Sequence, residues 1–326
     1  MRGRFRRTKR FLFRRAVGLL ATLARCLPRR AALCAFAAIG TIVRWIDRPA
    51  VARSRRHLAL ALDDAADPSD RDAILREMFR AFGRNLVDLF RLRRLEAPAV
   101  TDLVEFEGLE HLERARGCGR GVIALSAHLG NWELLGAALA ARGYPIAVVA
   151  HDVFDSASND LLNTWRRGWG VRVYPRKHGL FGPARWLREN GIVGALVDQD
   201  TGGASVHREF FGHAARTPVA PFRLARRLGA ELVPMWIHLT ETGRHRITIR
   251  PMLPRFAELD DEAVVDAWID AWHRELEGAI REHPAQWVWF HRRWKTPAPA
   301  EALRICSKES VYLQRFQAST EVRIAR

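Results

Sequence analysis

The sequence predicts an α/β protein: a mostly parallel or mixed central sheet with helices on both faces, plus an amino-terminal helical region that associates with membranes. Three observations carry this. From Gly121 onward, short apolar runs alternate with stretches of helical periodicity, the pattern of helices layered on a sheet. Polar residues with chemical capacity stand where the apolar runs end, and ligands of such sheets collect there. The first 48 residues mix arginine clusters with apolar pieces, each shorter than the ~20 residues a helix needs to cross a bilayer.

Taken in order, three units are expected: a basic, membrane-associating helical segment at 1–48, a main domain at 49–300 and a tail of unknown role at 301–326. In the first unit, Ala16–Ala24 and Ala31–Val43 are apolar, separated by Arg25, Pro28, Arg29 and Arg30. They read as two short helices at a membrane surface, with arginine heads reaching the phosphates. Arginines directly after the first apolar piece argue against a cleaved export signal. Residues 48–68 read as a connection. Leu75, Met78, Phe79, Phe82, Leu86, Leu89 and Phe90 recur at helical spacing and predict one amphipathic helix over 70–94. Strands are expected at 121–127, 145–150, 171–174, 192–197, 232–237 and 245–250, and helices at 132–142, 156–168, 182–190, 218–228 and 260–282. Crossover connections make the central strands mostly parallel.

The chain of 326 residues is 48% hydrophobic, enough to fill a core. Lys+Arg number 53 against 36 Asp+Glu, a formal net charge of +17. That charge implies an anionic partner: nucleic acid, an anionic membrane, or a phosphorylated or acidic carrier. Nucleic acid is disfavoured, because the cations are dispersed and no recognised binding motif occurs. The four cysteines lack paired spacing and suggest a reducing compartment. No metal site is expected, since His-Glu-x2-His is absent and the histidines are scattered.

The centre of the chain is Gly121-Val-Ile-Ala-Leu-Ser-Ala-His128-Leu-Gly-Asn131-Trp-Glu133. His128 falls at a strand end and Glu133 in the first turn of the next helix. In one continuous helix such positions point apart; across a strand-to-helix turn they can meet. A carboxylate on one ring nitrogen would leave the other as a base. Alone, this spacing favours a strand-end histidine bonded within its own turn. Asn131 is suited to cap the helix, and it could also hold substrate. His151-Asp152 and Asp198-Gln199-Asp200 follow other strands. No Gly-x-Ser-x-Gly elbow occurs, so Ser126 reads as structural.

His128-Leu-Gly-Asn-Trp-Glu133 resembles the His-x4-Asp/Glu motif of glycerolipid acyltransferases, and its Asn-Trp-Glu form resembles the late acyltransferases of bacterial lipid A biosynthesis. Further stretches are similar to that family in the same order. They are Asn159 through Gly170 with Arg166 at the family's arginine and Arg167 one register away, Asp198-Gln199-Asp200, Phe210-Phe211-Gly212 through Thr217, and Trp287-Val-Trp289-Phe-His291-Arg292-Arg293-Trp294-Lys295. The resemblance runs over roughly residues 16–297.

What the resemblance implies is a membrane-associated O-acyltransferase at the cytoplasmic face of a bacterial inner membrane. It would move a fatty acyl group from acyl carrier protein or coenzyme A, a co-substrate and not a resident cofactor, to a hydroxyl of a glycolipid such as a lipid A precursor. His128 would be the base and Glu133 its orienting partner. Arg166 would bind phosphate or phosphopantetheine or help the oxyanion, unless it is a solvated helix cation. Asp198 and Gln199 would fix loops by hydrogen bonds. Arg292 and Arg293 would grip anionic headgroups, or belong to a structural aromatic patch. Transfer to another bacterial lipid, a lipid or thioester hydrolase using the same dyad, and a non-catalytic basic binder remain as alternatives.

Overall fold

The computed structural model describes residues 15–62, 67–92, 97–150, 156–176, 179–256 and 258–299. His151-Asp152 and the tail at 301–326 lie outside the described residues.

Among the described residues four helices come first: α1 (15–26), α2 (Arg29–Ile46), α3 (Arg48–Leu62) and α4 (Pro68–Leu92). Helix α3 corrects the expected connection at 48–68. Its charges occupy one side while Ala50, Ser54, His57, Leu58 and Leu62 are buried on the other, a helical period that the mixed composition obscured. Helices α2 and α4 cross closely because each has a glycine at the contact. A Cβ on Gly40 would come within 2.1 Å of the Phe79 carbonyl oxygen, and one on Gly83 within 2.2 Å of that of Phe36. Arg91 donates to the Ala24 and Leu27 carbonyls, so a side chain of α4 satisfies oxygens around the end of α1.

The remainder builds the sheet. Helix α5 (Ala97–Asp102) leads to β1 (Val104–Glu107), α6 (Leu109–Gly117), β2 (Val122–Ser126), α7 (Trp132–Ala141), β3 (Ile146–Ala150), α8 (Ser156–Gly168), β4 (Arg172–Pro175), α9 (Phe181–Arg188) and β5 (Ile192–Leu196). A hairpin of β6 (Ser205–Phe210) and β7 (His213–Pro218) follows, then α10 (Ala220–Leu228), β8 (Glu231–Leu239), β9 (His245–Ile249) and α11 (Asp261–Glu282). The seven-stranded sheet has the order β1-β9-β8-β2-β5-β3-β4. Within this sheet, among the described residues, only the β8–β9 pair is antiparallel.

Strand β2 is buried throughout. Its alternate residues feed two cores: Ile123 and Leu125 pack with residues of α3, α4, α10 and α11, and Val122 and Ala124 pack with those of α6 and α7. Helices therefore cover both faces of the sheet, and the near-continuous apolar run of β2 follows from burial on both sides. The β6–β7 hairpin was not anticipated. Its strands carry arginine and histidine and lack the apolar run of a central strand.

Among the described residues, no helix is long and apolar enough to cross a membrane.

Candidate active site

Strands β2, β5 and β8 run parallel, so their carboxyl ends share one edge. His128 follows β2 there. A segment after α11 lies across this edge and fixes it. Gln286 exchanges two hydrogen bonds with the Leu239 backbone, its carbonyl accepts from the Gly130 N–H, and Val288 N–H donates to the His128 carbonyl. Gly130 takes φ +60°, and a Cβ there would come within 2.0 Å of the Ile237 carbonyl oxygen. Only glycine lets the chain turn this tightly against β8 into α7.

Asn131 caps α7, its Oδ1 accepting from Leu134 N–H at 3.2 Å, while its Nδ2 donates to the Asn85 carbonyl at 3.1 Å. Both ends of this buried amide are engaged within the protein.

The carboxylate on the His128 ring is Asp198, not Glu133. Asp198 Oδ1 lies 2.7 Å from His128 Nδ1, and Oδ2 accepts from the His128 backbone N–H at 2.8 Å and from Trp287 Nε1 at 2.9 Å. The expected His128–Glu133 contact is thereby corrected. Glu133 turns to α8, where Arg166 grips it with Nε at 2.8 Å and Nη2 at 2.5 Å, while Arg166 Nη1 donates to Asn163. The reason is geometric: Glu133 starts a helix that points away from the turn, whereas Asp198 leaves β5, the hydrogen-bonded neighbour of β2, at the same level. Arg167, the neighbouring register, is exposed.

Asp198 is fully enclosed. Burial by itself would raise its pKa; His128, meeting the carboxylate with both its ring and its backbone N–H, prevails and holds the carboxyl well below the usual carboxylate range. It therefore stays ionised and accepts a hydrogen bond from Nδ1–H, which leaves Nε2 as the basic nitrogen of His128.

Gln199 reaches between two imidazoles, its Nε2 lying 3.2 Å from His128 Nε2 and 2.5 Å from His291 Nδ1. The His128 and His291 ring centroids are 4.5 Å apart, and Trp132 closes the other side of His128 at 4.8 Å. His291 was missed as a site residue, because a histidine inside an aromatic run carries no local signal of catalysis. Donor atoms of His128, Asp198 and His291 lie within 4.8 Å of one another, a set able to hold a divalent ion. No spacing along the chain hints at it, because the three come from separate segments. An ion there would have to displace the hydrogen bond between His128 and Asp198.

The two terminal arginines part company. Arg292 is exposed. Arg293 is buried, donating to the Arg216 carbonyl at 2.6 Å and Thr217 Oγ1 at 2.8 Å, with its guanidinium 4.9 Å from the Phe210 ring centroid. It ties the last segment to the β6–β7 hairpin and is not free to grip a headgroup, which corrects that expectation for Arg293.

A buried carboxylate–imidazole pair at the carboxyl edge is the arrangement of a general base. The family profile described as "Bacterial lipid A biosynthesis acyltransferase" matches residues 2–296. The chain belongs to this family. It is an acyltransferase. It is similar to the phosphatidylinositol mannoside acyltransferase of Mycobacterium tuberculosis, 28% identical over 249 residues covering 74% of this chain and 76% of that one. It is also similar to the lipid A biosynthesis myristoyltransferase of Escherichia coli K12, 26% identical over 267 residues and 81% of each chain. The lipid A biosynthesis lauroyltransferase of the same organism is 26% identical over 248 residues, 74% of this acyltransferase and 78% of its own length.

Proposed function

We propose that this acyltransferase works at the membrane surface, transferring a fatty acyl group from an acyl thioester, of acyl carrier protein or coenzyme A, to a hydroxyl of a glycolipid such as a lipid A precursor. The observation that carries the reading is the His128–Asp198 pair, with Nδ1 occupied and the His128 side chain 16% exposed. The names of the relatives support a glycolipid acceptor.

In this reading Nε2 of His128 takes the proton of the acceptor hydroxyl as its oxygen attacks the thioester carbonyl carbon. A C–O bond forms and the carbonyl oxygen becomes an oxyanion. The C–S bond then breaks, and the thiolate leaves with the proton returned from Nε2. The products are an ester and a thiol, and Asp198 steadies the transient imidazolium. No covalent enzyme intermediate is needed. Glu133 acts at one remove, holding Arg166 where its guanidinium can meet a phosphate of donor or acceptor.

Membrane association is supported by apolar side chains turned outward from α1 and α2: Leu19, Ile42, Trp45 and Ile46 are exposed, three of them above 70%. Arg44 lies 5.6 Å from the Trp45 ring centroid, beside Arg48. Apolar groups interleaved with arginine suit an interface rich in anionic lipid. A peripheral position at the cytoplasmic face of the bacterial inner membrane fits them.

The test is product analysis with the purified full-length chain, an acyl thioester, and a lipid A precursor present or absent. Ester formation that requires the precursor is expected. Release of free fatty acid regardless of acceptor would make the protein a thioester hydrolase instead. Mass spectrometry of lipids from a deletion strain would identify the acyl chain and acceptor together.

A further inference from the structure

The reaction just described builds negative charge on the thioester carbonyl oxygen, and a donor must meet it. Arg166 is a poorer candidate, since Nε and Nη2 hold Glu133, Nη1 holds Asn163, and the N–H groups left over are those assigned above to a phosphate. We propose that His291 is a second catalytic residue of the centre, its neutral ring donating a hydrogen bond from Nε2–H to that oxygen as it becomes an oxyanion. This inference rests on the acyl-transfer reading above.

Geometry carries the assignment. The His291 ring stands nearly perpendicular to that of His128, at 82° and 4.5 Å between centroids. An acyl carbon beside the base is thus within reach of both rings. The Gln199 amide lies 2.5 Å from His291 Nδ1 and 3.2 Å from Nε2, so Nδ1 is the better acceptor and the ring proton resides on Nε2.

The segment that carries the ring is also held from several sides. His291 N–H donates to the Val288 carbonyl, Arg53 Nε donates to the Phe290 carbonyl at 2.6 Å, and His57 Nδ1 lies 2.8 Å from the Trp289 carbonyl oxygen. Phe290 packs edge-on against Phe82 of α4 and against His291 itself. A donor fixed before the reaction needs no reorganisation when charge appears, which gives such groups their effect.

Neutrality belongs to the role. The ring packs against His128 at 4.5 Å between centroids and takes the Gln199 amide on Nδ1. A charged ring here would oppose the proton that His128 must carry. A neutral one donates without that penalty, and its own proton stays on Nε2 throughout.

The experiment compares wild type, His128→Ala, His291→Phe, His291→Met and His291→Gln as full-length chains in detergent micelles, with palmitoyl-coenzyme A and a lipid A precursor. Thermal melts accompany each, and His291→Met serves where His291→Phe does not fold. The donorless variants are expected to lose kcat by about 10²-fold or more with KM within about twofold, the usual cost of one oxyanion donor. His291→Gln, which keeps an N–H, should recover at least about tenfold over them. Wild type active, His128→Ala inactive and a folded donorless variant with undiminished kcat would overturn this inference alone, as would a loss that His291→Gln fails to relieve. No acceptor-dependent ester from wild type would overturn the acyl-transfer reading and this inference with it.

Discussion

Asp198 holds His128 at two points: Oδ1 accepts a hydrogen bond from ring Nδ1–H at 2.7 Å and Oδ2 one from the backbone N–H at 2.8 Å. One carboxylate thus fixes both the tautomer of the base and the turn that carries it. His128→Ala should abolish transfer in a folded protein. Asp198→Asn should lower kcat by roughly 10²- to 10⁴-fold, because an amide can bond the ring in the wrong tautomer. Steady-state kinetics beside circular dichroism checks both, and a fully active Asp198→Asn enzyme would remove Asp198 from the mechanism.

Glu133 and Arg166 should behave as one unit. Their pair is bidentate and largely shielded, with side chains 11% and 17% exposed. Glu133→Gln, Arg166→Ala and the double variant should lose similar activity, giving a coupling of about 1–3 kcal/mol in a double-mutant cycle. Arg167→Ala should cost much less than Arg166→Ala. Additive losses would mean that the two residues act separately.

Gly130→Ala should impair catalysis without touching a reacting group. The added methyl meets the Ile237 carbonyl oxygen and the residue sits at positive φ, so the turn carrying His128 must shift. A displacement near 1 Å at the base costs about 10²-fold in rate. The comparison is kcat of Gly130→Ala against an alanine at Gly143, where an added Cβ has open space although φ is also positive.

Acid should weaken the attachment of α2 to the sheet. Asp88 is buried between Arg29, in bidentate contact, and His245 of β9 at 2.8 Å. Burial would raise its pKa, but these two partners bring it down to about 2. The folded pKa lies below the unfolded value of about 3.9, so the stabilisation is present above that pH and is lost as pH falls toward 2. By that difference it amounts to roughly 2–3 kcal/mol. Asp88→Asn should lower the melting temperature near neutrality and flatten the acid limb of a stability–pH curve; an unchanged limb would assign the acid sensitivity elsewhere.

Trp45→Ser with Ile46→Ser should reduce flotation on vesicles containing anionic lipid. Burying one large apolar side chain is worth about 1.5–3 kcal/mol, so the pair should cost at least about tenfold in partitioning. Thioester turnover in detergent should hardly change. Unaltered flotation would move the contact off this helix end.

Much of the scaffold was legible because it follows from local periodicity. The β2 run, the amphipathic face of α4 and the Trp268, Ile269, Trp272 and Leu276 stripe of α11 are patterns within single segments. Helix α3 and the β6–β7 hairpin were not, since charged residues there break the apolar pattern and their burial arises from packing against other segments.

For the site, the sequence alone placed His128 at the end of a central strand, Asn131 at a helix start and Asp198 after another strand. Those are consequences of chain direction and alternation. Which carboxylate meets the imidazole was a tertiary matter. Glu133 is five residues from His128 and Asp198 seventy, yet β2 and β5 lie side by side and deliver their ends together, while the helix begun at Trp132 carries Glu133 toward Arg166. The same holds for His291, brought beside His128 by a segment laid across the strand ends. Hydrogen bonds form over a few ångströms of space, and distance along the chain has no bearing on that separation once a sheet has folded.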